Sequence, residues 1–357
     1  MVMRMLSMSA VLGSSFFSAI AQATLPTTMR AVVTAGPAAE GDFSNVKLVT
    51  DQPVPVPAWG QALIKVSASS VNPVDYKLLT MLDGPKVLGF DVAGTVVKAE
   101  TGCWRLNIGD RVWADLGMST PSPVQLGAWA EYALADCDQI SEMPTNLDFP
   151  SAAVLPLVSL TDYQAYKKAG SPWLFTPNLT VVVTSGSGGT GISAIQMAKA
   201  YSATRIITAS SPENFDLLKG LGATDVVDYH TSTIWDLLPE NSVDVVYDNY
   251  GAPGTADAAM PSLRSGGAYI FLPGHDGNLS SNPKEGVTQI NFGLCDASNY
   301  EDLDALASFA NQGKLKPVIG QTFALENIVQ ALNASFTGQA VGKVSITISQ
   351  ESEVALV

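Results

Sequence analysis

The run Val181-Val182-Val183-Thr184-Ser185-Gly186-Ser187-Gly188-Gly189-Thr190-Gly191 constrains this chain more than any other segment. Gly186, Gly188 and Gly191 fall in the spacing G-x-G-x-x-G. Leu179 to Val183 before them is a continuous apolar run, the mark of a strand buried on both faces. Gly191 to Tyr201 after them has the apolar spacing of a helix. In that setting the glycines have distinct steric roles. The first permits a tight turn, the second lets the backbone approach a pyrophosphate, and the third lets helix pack closely on strand. The helix N-terminus then aims unpaired N–H groups at the phosphates. A turn of this kind belongs to a parallel sheet.

The flanking sequence agrees. Downstream come a strand (Arg205 to Thr208), a helix (Pro212 to Leu221), strands at Asp225 to Val227 and Val243 to Tyr247, a helix (Pro253 to Leu263) and a strand (Ala268 to Leu272). This βαβ alternation implies a doubly wound α/β unit. Ser151 to Tyr166 reads as one helix ahead of it. Upstream, short alternating stretches at Arg30 to Thr34, Val46 to Thr50, Ala62 to Ala68, Val92 to Lys98, Arg111 to Ala114 and Trp129 to Leu134 read as strands of a β-rich module. Pro53, Pro55 and Pro57 mark an extended connection between two of them. After residue 296 come a helix (Asn299 to Asn311), a strand (Thr322 to Leu325), a helix (Glu326 to Ser335) and a last strand (Lys343 to Ile348). Trp104, Trp113 and Trp129 read as core of the β module.

Several function classes are excluded early. A net charge of −14 repels phosphate backbones and anionic lipid, so nucleic acid is not an expected partner. Cys103, Cys137 and Cys295 are too few and scattered for a disulfide framework and read as small buried hydrophobes. With no CxxC pair and only His230 and His275, a His/Cys zinc site is hard to assemble, and no metal is expected. Arg4, the apolar Ser-rich run Leu6 to Ile20 and Ala21-Gln22-Ala23 form a targeting pattern over residues 1–23. A secretory-type segment is expected there, with a mitochondrial presequence as the competitor. The run is too short and too rich in serine for a good membrane span, and the mature chain is expected to have none.

The end of the second strand bears on the cofactor. Dinucleotide sites that prefer NAD usually place Asp or Glu about 20 residues past the turn, on the ribose hydroxyls. Here that place holds Thr208-Ala209-Ser210-Ser211. Small hydroxyls leave room for a 2′-phosphate and can donate to it, so NADPH is expected.

With both halves read, the chain resembles the medium-chain dehydrogenase/reductase superfamily, in its zinc-independent quinone oxidoreductase and enoyl reductase branch. The segments that carry the likeness are Ser70-Val71-Asn72-Pro73-Val74-Asp75-Tyr76-Lys77, Leu88-Gly89-Phe90-Asp91-Val92-Ala93-Gly94, Gly109-Asp110-Arg111-Val112, Ala130-Glu131-Tyr132, Leu155-Pro156-Leu157 with Thr161, the glycine turn, and Gly342-Lys343-Val344. The resemblance implies a GroES-like catalytic domain closed by both chain ends (24–152 and 297–357) and an inserted Rossmann domain (153–296). Relatives often pair through the cofactor domain, so a homodimer is an expectation by analogy. The zinc alcohol dehydrogenases carry a metal-binding Gly-His-Glu where this chain has Gly89-Phe90-Asp91, and phenylalanine cannot ligate a metal.

The same resemblance implies the residue roles. Asn72, Asp75 and Tyr76 would lie near the nicotinamide, where an amide or phenol can stabilise negative charge on a carbonyl oxygen. A structural account stays open for each, as an Asn-Pro turn, a first-turn helix acid and a core tyrosine. Thr161 would bond the nicotinamide end, or else its own helix backbone. Ser185, Gly188, Gly189 and Thr190 would cradle the pyrophosphate, and Ser210 and Ser211 would flank the 2′-phosphate. Asn214 stands where many relatives have lysine. Asn249 and Leu272 end the next two strands, where open sheets bind ligands. Lys343 matches a position near the domain junction, with a solvated or ion-paired lysine as the rival reading. The implied activity is hydride delivery to a small electrophile, a quinone or an α,β-unsaturated carbonyl. Two alternatives remain. One is a trans-2-enoyl thioester reductase, since Ser211 to Leu217 resembles fungal trans-acting enoyl reductases. The other is a nucleotide-binding protein with little catalysis.

Overall fold

The structure, a computed structural model, describes residues 25–81, 84–117, 127–338 and 340–348. The targeting pattern at residues 1–23 lies outside the described residues. The N-terminal part folds as β1 (Thr28–Thr34), β2 (Val46–Pro53), β3 (Gln61–Val71), α1 (Pro73–Lys77), β4 (Lys86–Val87), β5 (Asp91–Ala99), β6 (Arg111–Asp115), β7 (Tyr132–Asp136), β8 (Ile140–Glu142), α2 (Phe149–Ala153) and α3 (Pro156–Lys168). Next come β9 (Thr180–Val183), α4 (Gly189–Ala200), β10 (Arg205–Ser210), α5 (Phe215–Leu221), β11 (Asp225–Asp228), β12 (Val243–Asp248), α6 (Thr255–Ala259), β13 (Leu263–Phe271) and β14 (Thr288–Asn291). The chain closes with α7 (Tyr300–Asn311), β15 (Ile319–Ala324), α8 (Ile328–Phe336) and β16 (Lys343–Thr347).

Strands β9 to β14 form one parallel sheet in the order β11-β10-β9-β12-β13-β14. From β9 the chain moves outward on one side and from β12 on the other, the doubly wound pattern expected from the βαβ series. The remaining strands form a three-stranded sheet, β2-β1-β4, and a larger one, β15-β16-β3-β5-β6-β8, with β7 added on β3. Strand β16 pairs antiparallel with β3, so the end of the chain returns to the module where it began. Helix α7 packs between the halves, against α3 and β8.

Several expectations are corrected. The single helix over Ser151 to Tyr166 is two, because Pro156 has no N–H to give the preceding turn and starts α3 instead. The helix over Pro253 to Leu263 shrinks to Thr255–Ala259, because Leu263 is drawn into β13 opposite Val243. Strand β14, with the sequence TQIN, carries too few apolar residues to be seen without its neighbour. Trp113 and Trp129 are fully buried, and the Trp129 indole N–H donates to the Ser70 carbonyl at 3.0 Å. Trp104 is 85% exposed, so it is no part of the core. Cys103 and Cys137 are a disulfide, their Cα atoms 5.4 Å apart. Strand β3 explains it: Ala62 pairs with both Ala99 of β5 and Ala135 of β7, which brings two distant chain segments together.

The parallel sheet buries a carboxyl. Asp162 of α3 is fully buried, and the Tyr247 hydroxyl donates to its Oδ1 at 2.5 Å. Burial pushes this carboxyl well above the ordinary carboxylate range, against the lowering by Tyr247. The folded state therefore holds a proton that the unfolded chain releases. The stability this gives is fully present below the ordinary carboxylate range and is lost as pH rises toward the folded value.

In denaturant titrations at pH 4, 6 and 8, the Asp162→Asn variant, which cannot ionise, gains on the parent protein as pH rises. A pH-independent difference contradicts the buried acid. A Cys103→Ser/Cys137→Ser variant unfolds at lower temperature, losing about 2–4 kcal/mol, because the bridge closes a loop with a sequence separation of 34.

Candidate functional site

The crevice where β9 and β12 part is the topological switch point of the parallel sheet, the place where such sheets bind ligands. The glycine turn leaves β9 there. Gly188 is the N-cap of α4, and a Cβ added to it meets nothing within 4 Å, so its outer side is open. Gly186 and Gly191 are different. A Cβ on Gly191 would lie 1.9 Å from the Ser185 carbonyl oxygen, and one on Gly186 would lie 2.5 Å from Thr208 Oγ1. These two glycines close the turn and the middle one exposes it.

Asn249, at the end of β12, holds the turn. It accepts from the Ser185 N–H at 3.0 Å and donates to the Ser185 carbonyl at 2.8 Å and to Thr190 Oγ1 at 3.1 Å. Asp248 beside it is fully buried, accepting from Thr184, the Gly251 N–H and the Tyr269 hydroxyl. The sequence pattern gives Asn249 to the cofactor; the fold gives its amide to the turn, while the residue also lines the crevice.

At the end of β10 the three expected residues separate. Ser210 is buried and its hydroxyl accepts from the Asn214 amide at 3.1 Å. Ser211 is partly exposed, 2.9 Å from the Tyr229 hydroxyl. Tyr229, exposed and stacked on His230 at 4.2 Å, has no signal in the sequence, because its approach to Ser211 depends on the pairing of β10 with β11.

The cleft runs from this crevice to the β module and has a volume of about 460 Å³. Thr161, Thr190, Asn249, Leu272, Asn72 and Tyr76 all line it. Asn72 is buried in a network. Its amide donates to Asp91 Oδ2 at 2.7 Å, and its carbonyl oxygen accepts from the Lys343 ammonium at 2.5 Å. Lys343 also donates to the Val71 carbonyl at 2.8 Å and lies 3.5 Å from Asp91. Ser70 and the Leu157 N–H complete the shell of Asp91 at 2.5 and 2.8 Å. The rival reading of Lys343 as an ion-paired residue holds, but the pair is buried; burial lowers its pKa and Asp91 opposes that. Asp91 is more than a departure from a metal motif, and an acid opening an otherwise apolar strand was the available signal.

Asp75 takes the structural account. Its Oδ2 accepts from the Asn72 N–H at 2.6 Å and caps α1, and burial raises its pKa well above the ordinary carboxylate range. Tyr76 forms one wall of the cleft, edge-on to Phe336 at 5.4 Å; burial pushes its pKa up to about 12, so its hydroxyl keeps its proton. Two further wall residues were missed. Asp115 Oδ1 accepts from the Gly117 N–H at 2.9 Å, and its Oδ2 accepts from the Cys295 thiol at 3.3 Å. Burial, then the charge of Asp91, pushes Asp115 up to about 7. Burial also pushes the Cys295 thiol well up, which disfavours a thiolate. Among the described residues no group of three or more His, Cys, Asp or Glu is placed to hold a metal ion, and no helix is long and apolar enough to cross a membrane.

Known proteins share this arrangement. Residues 58–145 match the alcohol dehydrogenase GroES-like domain, and residues 221–346 match the zinc-binding dehydrogenase family. A 2-methylene-furan-3-one reductase of Solanum lycopersicum is 34% identical over 316 residues, covering 86% of this chain and 76% of that protein. An NADPH-dependent alkenal/one oxidoreductase, chloroplastic, of Arabidopsis thaliana is 32% identical, covering 96% and 85%. The structure of the quinone oxidoreductase from Coxiella burnetii superposes with a TM-score of 0.76 at 28% identity, over 90% of this chain and all of that one. The chain belongs to the medium-chain dehydrogenase/reductase superfamily, in its quinone oxidoreductase and enoyl reductase branch.

Proposed function

We propose that this protein is an NADPH-dependent reductase that delivers hydride to a quinone or an α,β-unsaturated carbonyl without a metal. The observation that carries the reading is the cleft itself, which runs from Thr190 and Asn249 beside the glycine turn to a wall of hydroxyl, amide and carboxyl groups. The cradle fits a diphosphate: there is free space outside Gly188, and α4 begins at Gly189. Ser185, Gly188, Gly189 and Thr190 would hold the pyrophosphate, while Thr161, Asn249 and Leu272, which line the cleft, would border the ring. NADPH, when bound, supplies the hydride. The Ser211 and Tyr229 hydroxyls support a preference for the 2′-phosphate, since both can donate to it and among the described residues no acid is hydrogen-bonded to either.

The metal-free part of the reading rests on donor chemistry. At the position of the zinc enzymes' ligands this chain has Phe90, with no donor atom, and Asp91, whose oxygens are taken up by Ser70, Asn72, Leu157 and Lys343. An ammonium group on Asp91 disfavours a second cation there. Negative charge developing on the acceptor oxygen is met instead by hydrogen-bond donors on the cleft wall, with Tyr76 the phenol among them. The relatives support conjugated acceptors, since two of them are named as a methylene-furanone reductase and an alkenal/one oxidoreductase. We read residues 1–23 as a cleaved secretory-type segment. The Cys103–Cys137 bridge supports that reading, because disulfides persist in oxidising compartments.

The first test is an acceptor panel of quinones, small enones and a crotonyl thioester, assayed with NADPH and NADH side by side. Turnover of enones or quinones with NADPH at lower KM than NADH is expected; stoichiometric zinc in the active protein overturns the metal-free reading. Turnover confined to the thioester moves the assignment to enoyl thioester reduction. The second is Gly188→Val. Its side chain enters open space, so thermal unfolding stays within a few degrees of the parent protein, while NADPH affinity in a calorimeter falls about 100-fold or more, roughly 2.7 kcal/mol. Unchanged affinity rules out this turn as the cradle.

A further inference from the structure

Reduction of a conjugated carbonyl needs a proton as well as a hydride. Several titratable groups line the cleft, and their settings differ. Glu40, Lys77, His275 and Asp296 are not fully buried, and the Lys77 ammonium donates to the Gly274 carbonyl at 3.3 Å. Tyr76 is a phenol that burial pushes up to about 12, a far weaker acid than a carboxyl. Asp115 is the buried carboxyl of the wall, 1% exposed, at the end of β6. Contacts from both halves of the molecule hold it: Gly117 of the β module donates to one oxygen, and Cys295, which follows β14, donates to the other.

Its neighbour explains its state. Asp91 and Asp115 face each other across β5 and β6 in register, so two carboxyls stand side by side in a buried place. Four donors converge on Asp91, one of them the Lys343 ammonium. Asp115 receives one backbone N–H and one weak thiol donor, with Lys343 acting on it only from a distance. When two adjacent carboxyls have such unequal shells, the poorly solvated one keeps the proton. Asp75, also buried nearby, is itself pushed well up, by burial first and also by the charges of Asp91 and Asp115.

We propose that Asp115 is the proton donor of the reductase, with Cys295 as the positioning residue that orients its carboxyl toward the cleft. The inference rests on the reading of the protein as a reductase of conjugated carbonyls. NADPH, when bound, would supply the hydride to the β-carbon of the enone, and the π electrons would move onto the carbonyl oxygen. The Asp115 O–H bond breaks and its proton goes to that oxygen, giving an enol that tautomerises to the saturated ketone. The carboxylate left behind takes a proton from water. No further oxidant or reductant is required.

The test is kcat/KM for 3-penten-2-one with NADPH from pH 5 to 9, in the parent protein, Asp115→Asn, Cys295→Ala and Cys295→Ser. The acid form is the working one, so activity is full at low pH and falls as pH rises through about 7. Asp115→Asn has nothing to donate: its kcat falls about 100-fold or more and the limb near neutrality vanishes, while NADPH affinity stays within about twofold. Cys295→Ala removes the thiol that favours the carboxylate, so the limb moves to higher pH; Cys295→Ser restores a donor and moves it back. A residue that only supports the fold would lower NADPH affinity or thermal stability and leave the limb in place. The inference is overturned by an Asp115→Asn enzyme with an unchanged limb, or by Cys295 variants that leave its position fixed, the latter serving if the Asn variant does not fold. A parent protein that binds NADPH but reduces no conjugated acceptor removes the underlying reading, and this inference with it. An active parent with an indifferent Asp115 removes the inference alone.

Discussion

A buried ammonium ties the molecule together. Lys343, near the end of the chain, donates to Val71 and Asn72 at the end of β3 and lies against Asp91 at the start of β5. Its stem passes over the glycine turn, where a Cβ on Gly189 would lie 2.9 Å from Lys343 Cδ. One residue earlier, the Gly342 N–H donates to the Ser187 carbonyl at 2.8 Å. A buried ion pair repays its desolvation only when further hydrogen bonds complete its shell, and here Ser70, Asn72 and Leu157 do so. The last strand therefore sets the spacing between the glycine turn and the cleft wall of the β module.

The second constraint is on the sheet side. Asp248 and Asn249 end β12, and between them they bond to Thr184, Ser185, Thr190, Gly251 and Tyr269. Their polar atoms shape the loops at the switch point. This preorganises the backbone amides of α4 before any ligand arrives, and rigid donors of that kind need no reorganisation at the moment of reaction. Three of the polar residues expected to touch ligand, Asn72, Asn249 and Ser210, are thus occupied with the protein itself.

Much of the fold was legible because its signals are local. The strand–glycine turn–helix unit has a period and a spacing that can be read from consecutive residues, and Gly191 keeps its helix close to β9 as its place in the motif requires. The helix over Ser151 to Tyr166 failed at Pro156, a local signal that was present and outweighed by apolar spacing. The bridge between Cys103 and Cys137 was not legible, because β3 has to pair on both edges before those residues meet. Trp104 and Trp113 carry the same side chain with opposite burial, since one sits in a turn after β5 and the other inside β6.

The amino-acid order alone determined the glycine turn after a buried strand, the doubly wound unit around it and a phenylalanine at position 90, which cannot ligate a metal. Each depends on which residues follow one another along a few consecutive positions. Tertiary structure decided what the polar residues do. Asp75 became a helix cap, Asp91 the centre of a buried cluster and Asp115 a buried carboxyl pushed up to about 7, although all three are the same residue type. A carboxyl's chemistry is set by the donors, charges and water within a few ångströms of it, and here those arrive from strands far apart in the chain.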